Sequence, residues 1–315
     1  MIAMILAAGF GNRMRPLSER LPKPLLPILG RPLITYTIEH LKTVSVDAIG
    51  VNVHHLAEKV ASSLGNGAPW GIEIVLSREK KILGTGGGMR TIRELFPGED
   101  LFLVYNGDIL SDINLPGLIK QHLRRGALVT MALRDCPPKN NVTLRRDGTI
   151  VDFLGKLGTC QPGKDQNLTF TGISVVDASV LDRVPCEGAS NIIDIYLELI
   201  NCKPGSIQGY VARGNYWVDI GTPVSYLQVH RDILVDGKLV SFSGERHGSG
   251  IYTGAGSVIE SGARLEGFVC IGRSCLIKRK TFLKNCVIWD GTVVEEGDYL
   301  EDGVKDGEWH YSILG

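Results

Sequence analysis

Between residues 259 and 293 the apolar residues of this chain fall on a six-residue beat. Ile259, Leu265, Ile271, Ile277, Leu283 and Trp289 make one column. Ala263, Val269, Cys275, Thr281, Val287 and Val293 make a second, set two residues ahead of the next member of the first. A half-buried strand alternates with period two and a helix with period 3.6, so neither produces linked columns of period six. Hexapeptide periodicity is the mark of a parallel β-helix, whose circuits stack side chains of one size on each other. One column here is small or β-branched and the other large, as an inward-facing stack requires. The expectation is a left-handed parallel β-helix of about six or seven turns over residues 241–315.

Residues 1 to about 235 have a different texture, in which short β-branched runs alternate with helical patterns. IAMIL (2–6), AIGVNV (48–53), IEIVLS (72–77) and LFLVYN (101–106) read as strands. Helical segments start at Pro32, about His55 and about Gly88. Near-continuous apolar strands separated by amphipathic helices indicate an α/β, Rossmann-like doubly wound sheet covered on both faces. In such sheets ligands sit beyond the carboxyl ends of the strands. The residues just after 6, 53, 77 and 106 are therefore the first candidates for function.

The charge balance narrows the partners. Lys plus Arg equals Asp plus Glu, at 34 each, so no net field draws in nucleic acid or an anionic membrane, and neither is expected as a partner. No apolar run reaches the roughly 18 residues of a membrane helix, and MIAMILAAGFGNR lacks the layout of a signal peptide. A cytoplasmic location is expected. The seven cysteines contain no CxxC pair and are odd in number, which argues against a disulfide framework or a zinc site. They read as reduced, mostly buried small apolar residues.

The first strand leaves through LAAGFGNRMRPLSERLPKPLLP, residues 6–27. It contains neither GxxxxGK[ST] nor GxGxxG, so neither familiar phosphate loop is present. Pro16, Pro22, Pro24 and Pro27 forbid a regular helix, which leaves a long loop of defined φ. Gly9 and Gly11 let the backbone approach a ligand, with N–H groups free to meet oxygen. Arg13, Arg15 and Lys23 supply the positive charge a triphosphate requires. A solvated basic loop is the plainer alternative, made less favourable by the glycine spacing, the strand-end position and the prolines.

AAGFGNRMRP followed by LPKPLLPI resembles the signature of the sugar-nucleotide pyrophosphorylases, nucleotidyltransferases that join a nucleoside triphosphate to a sugar 1-phosphate. The resemblance covers residues 1 to about 235, and many members carry an appended hexapeptide coil. It implies a nucleotide-diphospho-sugar transferase fold with a mixed sheet and a catalytic domain over 1–240; the coil after it is expected to serve packing or oligomerisation. Asn12 stands where the family usually has Thr. The resemblance assigns Leu6, Ala7, Ala8, Gly9, Gly11 and Asn12 to the nucleotide, with Arg13 and Lys23 catalytic on its phosphates.

A second glycine cluster, ILGTGGGMR (82–90), reads alone as a flexible turn. In the family this stretch reads the base largely through main-chain groups. Gly84, Thr85, Gly86 and Gly87 are thus expected as a flat wall where a side chain would fill the base slot. In VYNGDILSD, Asp108 follows a buried strand and could cap the next helix; by resemblance it is catalytic and binds Mg²⁺, with Asp219 of NYWVDIGTP as the second ligand. Asn106, Lys156, Thr171 and Gly172 are the sugar-phosphate candidates. The family's Glu-Lys-Pro triplet reads Gly155-Lys156-Leu157 here, so its glutamate has no counterpart, and Lys156 could equally be a surface residue. His54 and His55 read as capping or substrate-edge residues.

The resemblance thus implies attack of a sugar 1-phosphate oxygen on the α-phosphorus of a triphosphate, with Mg²⁺ as cofactor and pyrophosphate leaving. LGTGGGM and FTGI are closer to uridylyl- and guanylyltransferases of the N-acetylmuramate, mannose or heptose 1-phosphate type than to thymidylyl and glucose enzymes, so UTP or GTP is expected. The alternatives are a non-catalytic sugar-nucleotide-sensing subunit and a coil with acyltransferase activity. Lys23 and both aspartates weigh against the first, and the absence of histidine from residues 250–305 against the second.

Overall fold

The four apolar runs expected as strands form one parallel ladder. The computed structural model describes residues 1–238 and 250–313. Nine strands share its largest sheet: β1 (Ile2–Leu6), β2 (Ala48–Val53), β3 (Glu73–Arg78), β4 (Leu101–Asn106), β5 (Val129–Arg134), β6 (Val142–Leu144), β7 (Ile150–Phe153), β8 (Gln166–Asp177) and β9 (Ile207–Val211). The order β4–β1–β2–β3 is parallel throughout, with Ile2 opposite both Ala48 and Phe102. Every residue of β2 is buried, as a central strand covered on both faces demands.

The long strand β8 makes the sheet mixed. It runs antiparallel to β4, with Ile173 opposite Tyr105, and antiparallel to β5, to which β9 is parallel. Among the described residues five α-helices of seven residues or more accompany these strands: α1 (Leu33–Lys42), α2 (Ala57–Leu64), α3 (Gly84–Arg90), α4 (Leu115–Arg125) and α5 (Ile192–Cys202). Two of them start on the side chains that favour such starts. Asn114 accepts from Gly117 N at 2.9 Å and Asn191 from Ile193 N at 3.1 Å. One core of Ile2, Met4, Phe102, Val104, Met131, Tyr196 and Leu199 runs under the sheet.

The chain divides into two compact units, Met1–Phe10 with Thr37–Trp217, and Gly11–Tyr36 with Val218–Gly315. The expected boundary between residues 240 and 241 lies outside the described residues. In the second unit the chain after residue 250 builds parallel ladders from β10 (Ile251–Thr253), β11 (Val258–Ile259), β12 (Arg264–Ile271), β13 (Leu276–Ile277), β14 (Phe282–Ile288), β15 (Val293–Val294), β16 (Tyr299–Glu301) and β17 (Gly303–Asp306). Ile251 lies opposite Val269, Val258 opposite Leu276 and Arg264 opposite Phe282, an offset of 18 residues. Paired strands thus lie three hexads apart rather than one.

The columns also slip. After a register shift between Glu266 and Val269 the offset becomes 17, with Val269 opposite Cys286, Ile271 opposite Ile288 and Leu276 opposite Val293. Cys286, Ile288, Val294 and Leu300 therefore fill the stack, where strict sixes place Val287, Trp289 and Val293. The cause is a shortened corner. Two residues, Gly267 and Phe268, separate Glu266 from Val269, whereas Asn285 alone separates Lys284 from Cys286. Asn285 takes φ 47° there, a left-handed conformation that Asn tolerates. Trp289 turns instead to helix α6 (Pro223–Leu234), where its Nε1 donates to the Tyr226 hydroxyl at 3.1 Å.

All seven cysteines are free, but only Cys270, Cys275 and Cys286 are buried. Cys160, Cys186 and Cys202 are exposed, the first two in connections and the third at the end of α5. Their expected burial fails because apolar character alone does not put a loop residue in a core. Among the described residues no helix is long and apolar enough to cross a membrane.

Candidate active site

The first unit supplies the carboxyl ends of β1, β2, β3 and β4 at one edge of the sheet. At the end of β1 the peptide joining Leu6 to Ala7 is held on both sides. Leu6 O accepts from Gly107 N at 2.8 Å, and Ala7 N donates to Asn52 Oδ1 at 2.8 Å. The Ala7 N–H is thus consumed inside the protein, unlike the free donors expected along this loop. Phe10 stands half exposed, its ring edge-on to His54 at 5.2 Å and tilted against His55 at 6.4 Å. The two histidines do not cap α2, whose N-cap is Leu56 without a side-chain bond. His54 Nδ1 donates to the Glu79 carbonyl at 2.7 Å.

The second glycine cluster is helical from Gly84, four residues before the expected start. Glycine is required there for protein packing. A Cβ at Gly84 would lie 2.4 Å from Ser190 O, one at Gly86 2.6 Å from Ser190 Oγ, and one at Gly88 2.5 Å from Asn52 Nδ2. Packing against Ser190 at Gly84 and Gly86, and against Asn52 at Gly88, by itself calls for glycine at these positions. Gly86 N donates to Ser190 O at 2.9 Å and Ser190 N to Leu83 O at 2.8 Å. Thr85 Oγ1 accepts from Ile192 N at 3.0 Å, which ties α3 to the start of α5.

Asp108 is half-buried in the turn after β4 and begins no helix; the cap of the next one is Asn114. Asn106 meets Gly172 on the neighbouring strand, where φ is +80° and a Cβ would approach Asn106 Nδ2 to 2.7 Å. Thr171 corrects its expectation as a sugar contact. It is fully buried and donates its hydroxyl to Ala132 O at 2.8 Å, because its position in β8 points it into the sheet. Its carbonyl accepts from Trp217 Nε1 at 2.7 Å. Lys156 sits on an exposed loop shaped by fully buried Asp152, which accepts from Leu157 N at 3.0 Å. Lys156 Nζ lies 3.2 Å from Asp194. Leu154 and Gly155 take φ 57° and 69° in succession, a turn in which glycine, and not the family's glutamate, fits at 155.

The second unit carries the basic loop. The prolines leave room for more helix than expected, a single turn at Leu17–Arg20 and 3₁₀ turns at Asn12–Met14 and Lys23–Leu25. Gly11 takes φ +68°, and a Cβ there would lie 3.2 Å from Lys23 Cγ and 3.4 Å from its Cε. The lysine stem thus lies flat along the glycine. Ser18 Oγ donates to Gly11 O at 2.9 Å, closing the loop on itself. Beside Gly221, a Cβ would meet Asp219 Oδ1 at 2.9 Å and an Arg13 guanidinium nitrogen at 3.1 Å. Arg13 and Asp219, 206 positions apart in sequence, therefore converge on one glycine.

The second unit thus holds a basic loop in which Lys23 lies along Gly11 and Arg13 meets Asp219 beside Gly221. The nucleotidyl transferase family model matches residues 2–235, and the chain belongs to that family. It is 32% identical to UTP–glucose-1-phosphate uridylyltransferase of Synechocystis sp., over 98% of this chain and 88% of that protein. It is 31% identical to mannose-1-phosphate guanylyltransferase of Mycobacterium tuberculosis, over 95% of this chain and 82% of that protein. The structure of HddC from Yersinia pseudotuberculosis complexed with GMP-PN shares the fold, with a TM-score of 0.59 over 72% of this chain and 96% of that one, at 20% identity.

Proposed function

We propose that this chain transfers a nucleoside monophosphate from UTP or GTP to a sugar 1-phosphate, forming a nucleoside diphosphate sugar and pyrophosphate. The observation that carries the reading is a pair of close approaches within one compact unit, Lys23 laid along Gly11 and Arg13 meeting Asp219 beside Gly221. An oxygen of the sugar 1-phosphate attacks the α-phosphorus in line, and the bond from that phosphorus to the bridging oxygen of the β-phosphate breaks. The nucleophile is already an anion at neutral pH, so the step needs alignment and charge neutralisation rather than a base. Arg13 holds the β- and γ-phosphates and Lys23 the α-phosphate. Asn106, Gly172 and Lys156 serve the sugar phosphate.

Asp108 and Asp219 are the residues that would hold Mg²⁺. Their chemistry fits a hard cation that takes only one or two carboxylates and completes its shell with water and phosphate oxygens. Among the described residues no group of three or more His, Cys, Asp or Glu could hold a metal ion. When bound, such an ion neutralises charge on the transferring phosphate.

The C-terminal ladders read best as a left-handed parallel β-helix that serves self-association, supported by their 17- to 18-residue offset. Cytoplasmic residence follows from this reading of the substrates. The test is pyrophosphate release by the purified protein with Mg²⁺, each nucleoside triphosphate, and glucose, mannose, heptose and N-acetylmuramate 1-phosphates. Release with one pair is expected. Binding of nucleotide sugar without release from any pair would favour a sensing subunit.

A further inference from the structure

Asn52 and Glu79 form a polar pair inside the first unit that the transfer chemistry does not use. Asn52 is 3% exposed and Glu79 7%. Asn52 Nδ2 donates to Glu79 Oε1 at 2.7 Å, Asn52 Oδ1 accepts from Ala7 N at 2.8 Å, and Glu79 Oε2 accepts from Leu83 N at 2.8 Å. The chain of bonds runs without a break from the loop after β1 to the residue that opens α3. Gly88 leaves the space in which the pair sits.

We propose that Asn52 and Glu79 are positioning residues that set the distance between two segments of the first unit assigned to the nucleotide, residues 6–9 and 84–87, and thereby the affinity for the triphosphate. The functional half rests on the nucleotidyl-transfer reading; the strut itself does not. A further bond secures the backbone at each end of the strut. The peptide gripped at Ala7 N is held on its other side by Gly107 N donating to Leu6 O, and Leu83, gripped at its N–H, also accepts from Ser190 N at its carbonyl. The residues that follow inherit this placement. A carboxylate that served only to fill space would be costly here, since a buried charge demands paired hydrogen bonds on both oxygens. Both oxygens are paired, and each pairing leads toward one of the two segments.

The polarity of the strut makes it testable by reversal. In Glu79→Gln one side-chain oxygen must serve both Leu83 N and Asn52 Nδ2, and the new amide donors face a donor. In Asn52→Asp two carboxylates stand face to face. In the double variant the carboxylate at position 52 accepts from Ala7 N and from the new amide at position 79, whose oxygen accepts from Leu83 N. Every donor is paired again, with the wild-type net charge.

The experiment measures UTP and GTP affinity by calorimetry, KM for both substrates, and amide exchange at Ala7 and Leu83. Each single variant is expected to weaken triphosphate binding about tenfold, the cost of one unmade buried hydrogen bond, and to speed exchange at both amides. KM for the sugar 1-phosphate should hold, and the double variant should return to within about threefold of wild type. A double variant no better than the singles, or singles that lose stability at unchanged triphosphate affinity, would overturn the assignment. A wild-type protein that binds neither triphosphate overturns the nucleotide role together with the transfer reading, while the exchange cycle still decides whether the strut fixes the two peptides.

Discussion

Tyr226 offers a measure of what holds the second unit together. Its side chain is fully buried on α6. Its hydroxyl donates to Pro27 O at 2.7 Å and accepts from Trp289 Nε1 at 3.1 Å. One oxygen therefore joins the end of the basic loop, a helix, and the tryptophan displaced by the slip in the parallel ladders. Tyr226→Phe keeps the ring and removes only that oxygen. A buried polar group left without its partner costs about 1–3 kcal/mol; Trp289 is 5% exposed, so water cannot readily replace the lost acceptor. The Trp289 donor and the Pro27 carbonyl together give an expected loss of about 2–4 kcal/mol. Urea unfolding followed by tryptophan emission reads this directly, because Trp289 and Trp309 lie 6.5 Å apart in the same unit. Pairing the change with Trp289→Phe in a double-mutant cycle isolates the bond between the two residues, for which about 0.5–1.5 kcal/mol of coupling is expected. A loss below about 0.5 kcal/mol at unchanged denaturant slope would refute the idea that the hydroxyl binds these segments.

The buried imidazoles set the acid response. Burial lowers the pKa of His40 and of His230 from 6.5 to about 4, so the native state keeps both neutral while the unfolded chain protonates. Stability should be full above pH 6.5 and fall between 6.5 and 4 by about 1.4 kcal/mol per pH unit for each group; His230→Gln should flatten part of that slope in urea titrations across the range, and an unchanged slope would count against it. Lys23→Ala should lower kcat by about 10²–10³-fold, the scale of removing one charge-stabilising donor, with circular dichroism and melting temperature unchanged; equal turnover would end its assigned role. Lys156→Ala should raise KM for the sugar 1-phosphate and leave stability within about 1 kcal/mol, since its pair with Asp194 is exposed; an unmoved KM would return Lys156 to the surface.

Much of the fold was legible because it depends on local pattern. Runs such as AIGVNV and LFLVYN became strands at the same residues, since a central parallel strand needs nothing but apolar side chains on both faces. The six-residue beat correctly announced stacked parallel strands. It misassigned Trp289 and Val293 because a column written in strict sixes carries no mark of a corner that loses a residue. Asn285 is that corner, and its left-handed φ depends on the bonds it makes, donating to Asp302 at 3.0 Å. Such a slip is a tertiary event, visible in sequence only as Asn and Asp recurring at a 17-residue step.

The candidate site draws attention in sequence through its charges and hides its buried polar pairs. Arg13, Lys23 and Asp219 stand out in a sequence because cations and carboxylates near glycines have few other uses, and the second unit does bring them to Gly11 and Gly221. Asn52 and Glu79 lie in apolar or mixed surroundings, VNVHH and LSREKK, and nothing local separates Glu79 from solvated residues. The glycines of GTGGG carry the same lesson in reverse. Their number suggested room left for a ligand, and at 84, 86 and 88 the close approach of Ser190 and Asn52 is a second reason for glycine. A glycine reports that something approaches the backbone closely. Whether that something is substrate or protein is decided by residues more than a hundred positions away in the case of Ser190, and by a buried amide in the case of Asn52. The signal that could have raised suspicion is the asparagine itself, an amide in the middle of an otherwise apolar strand, which must find partners on both its donor and acceptor sides or destabilise the sheet.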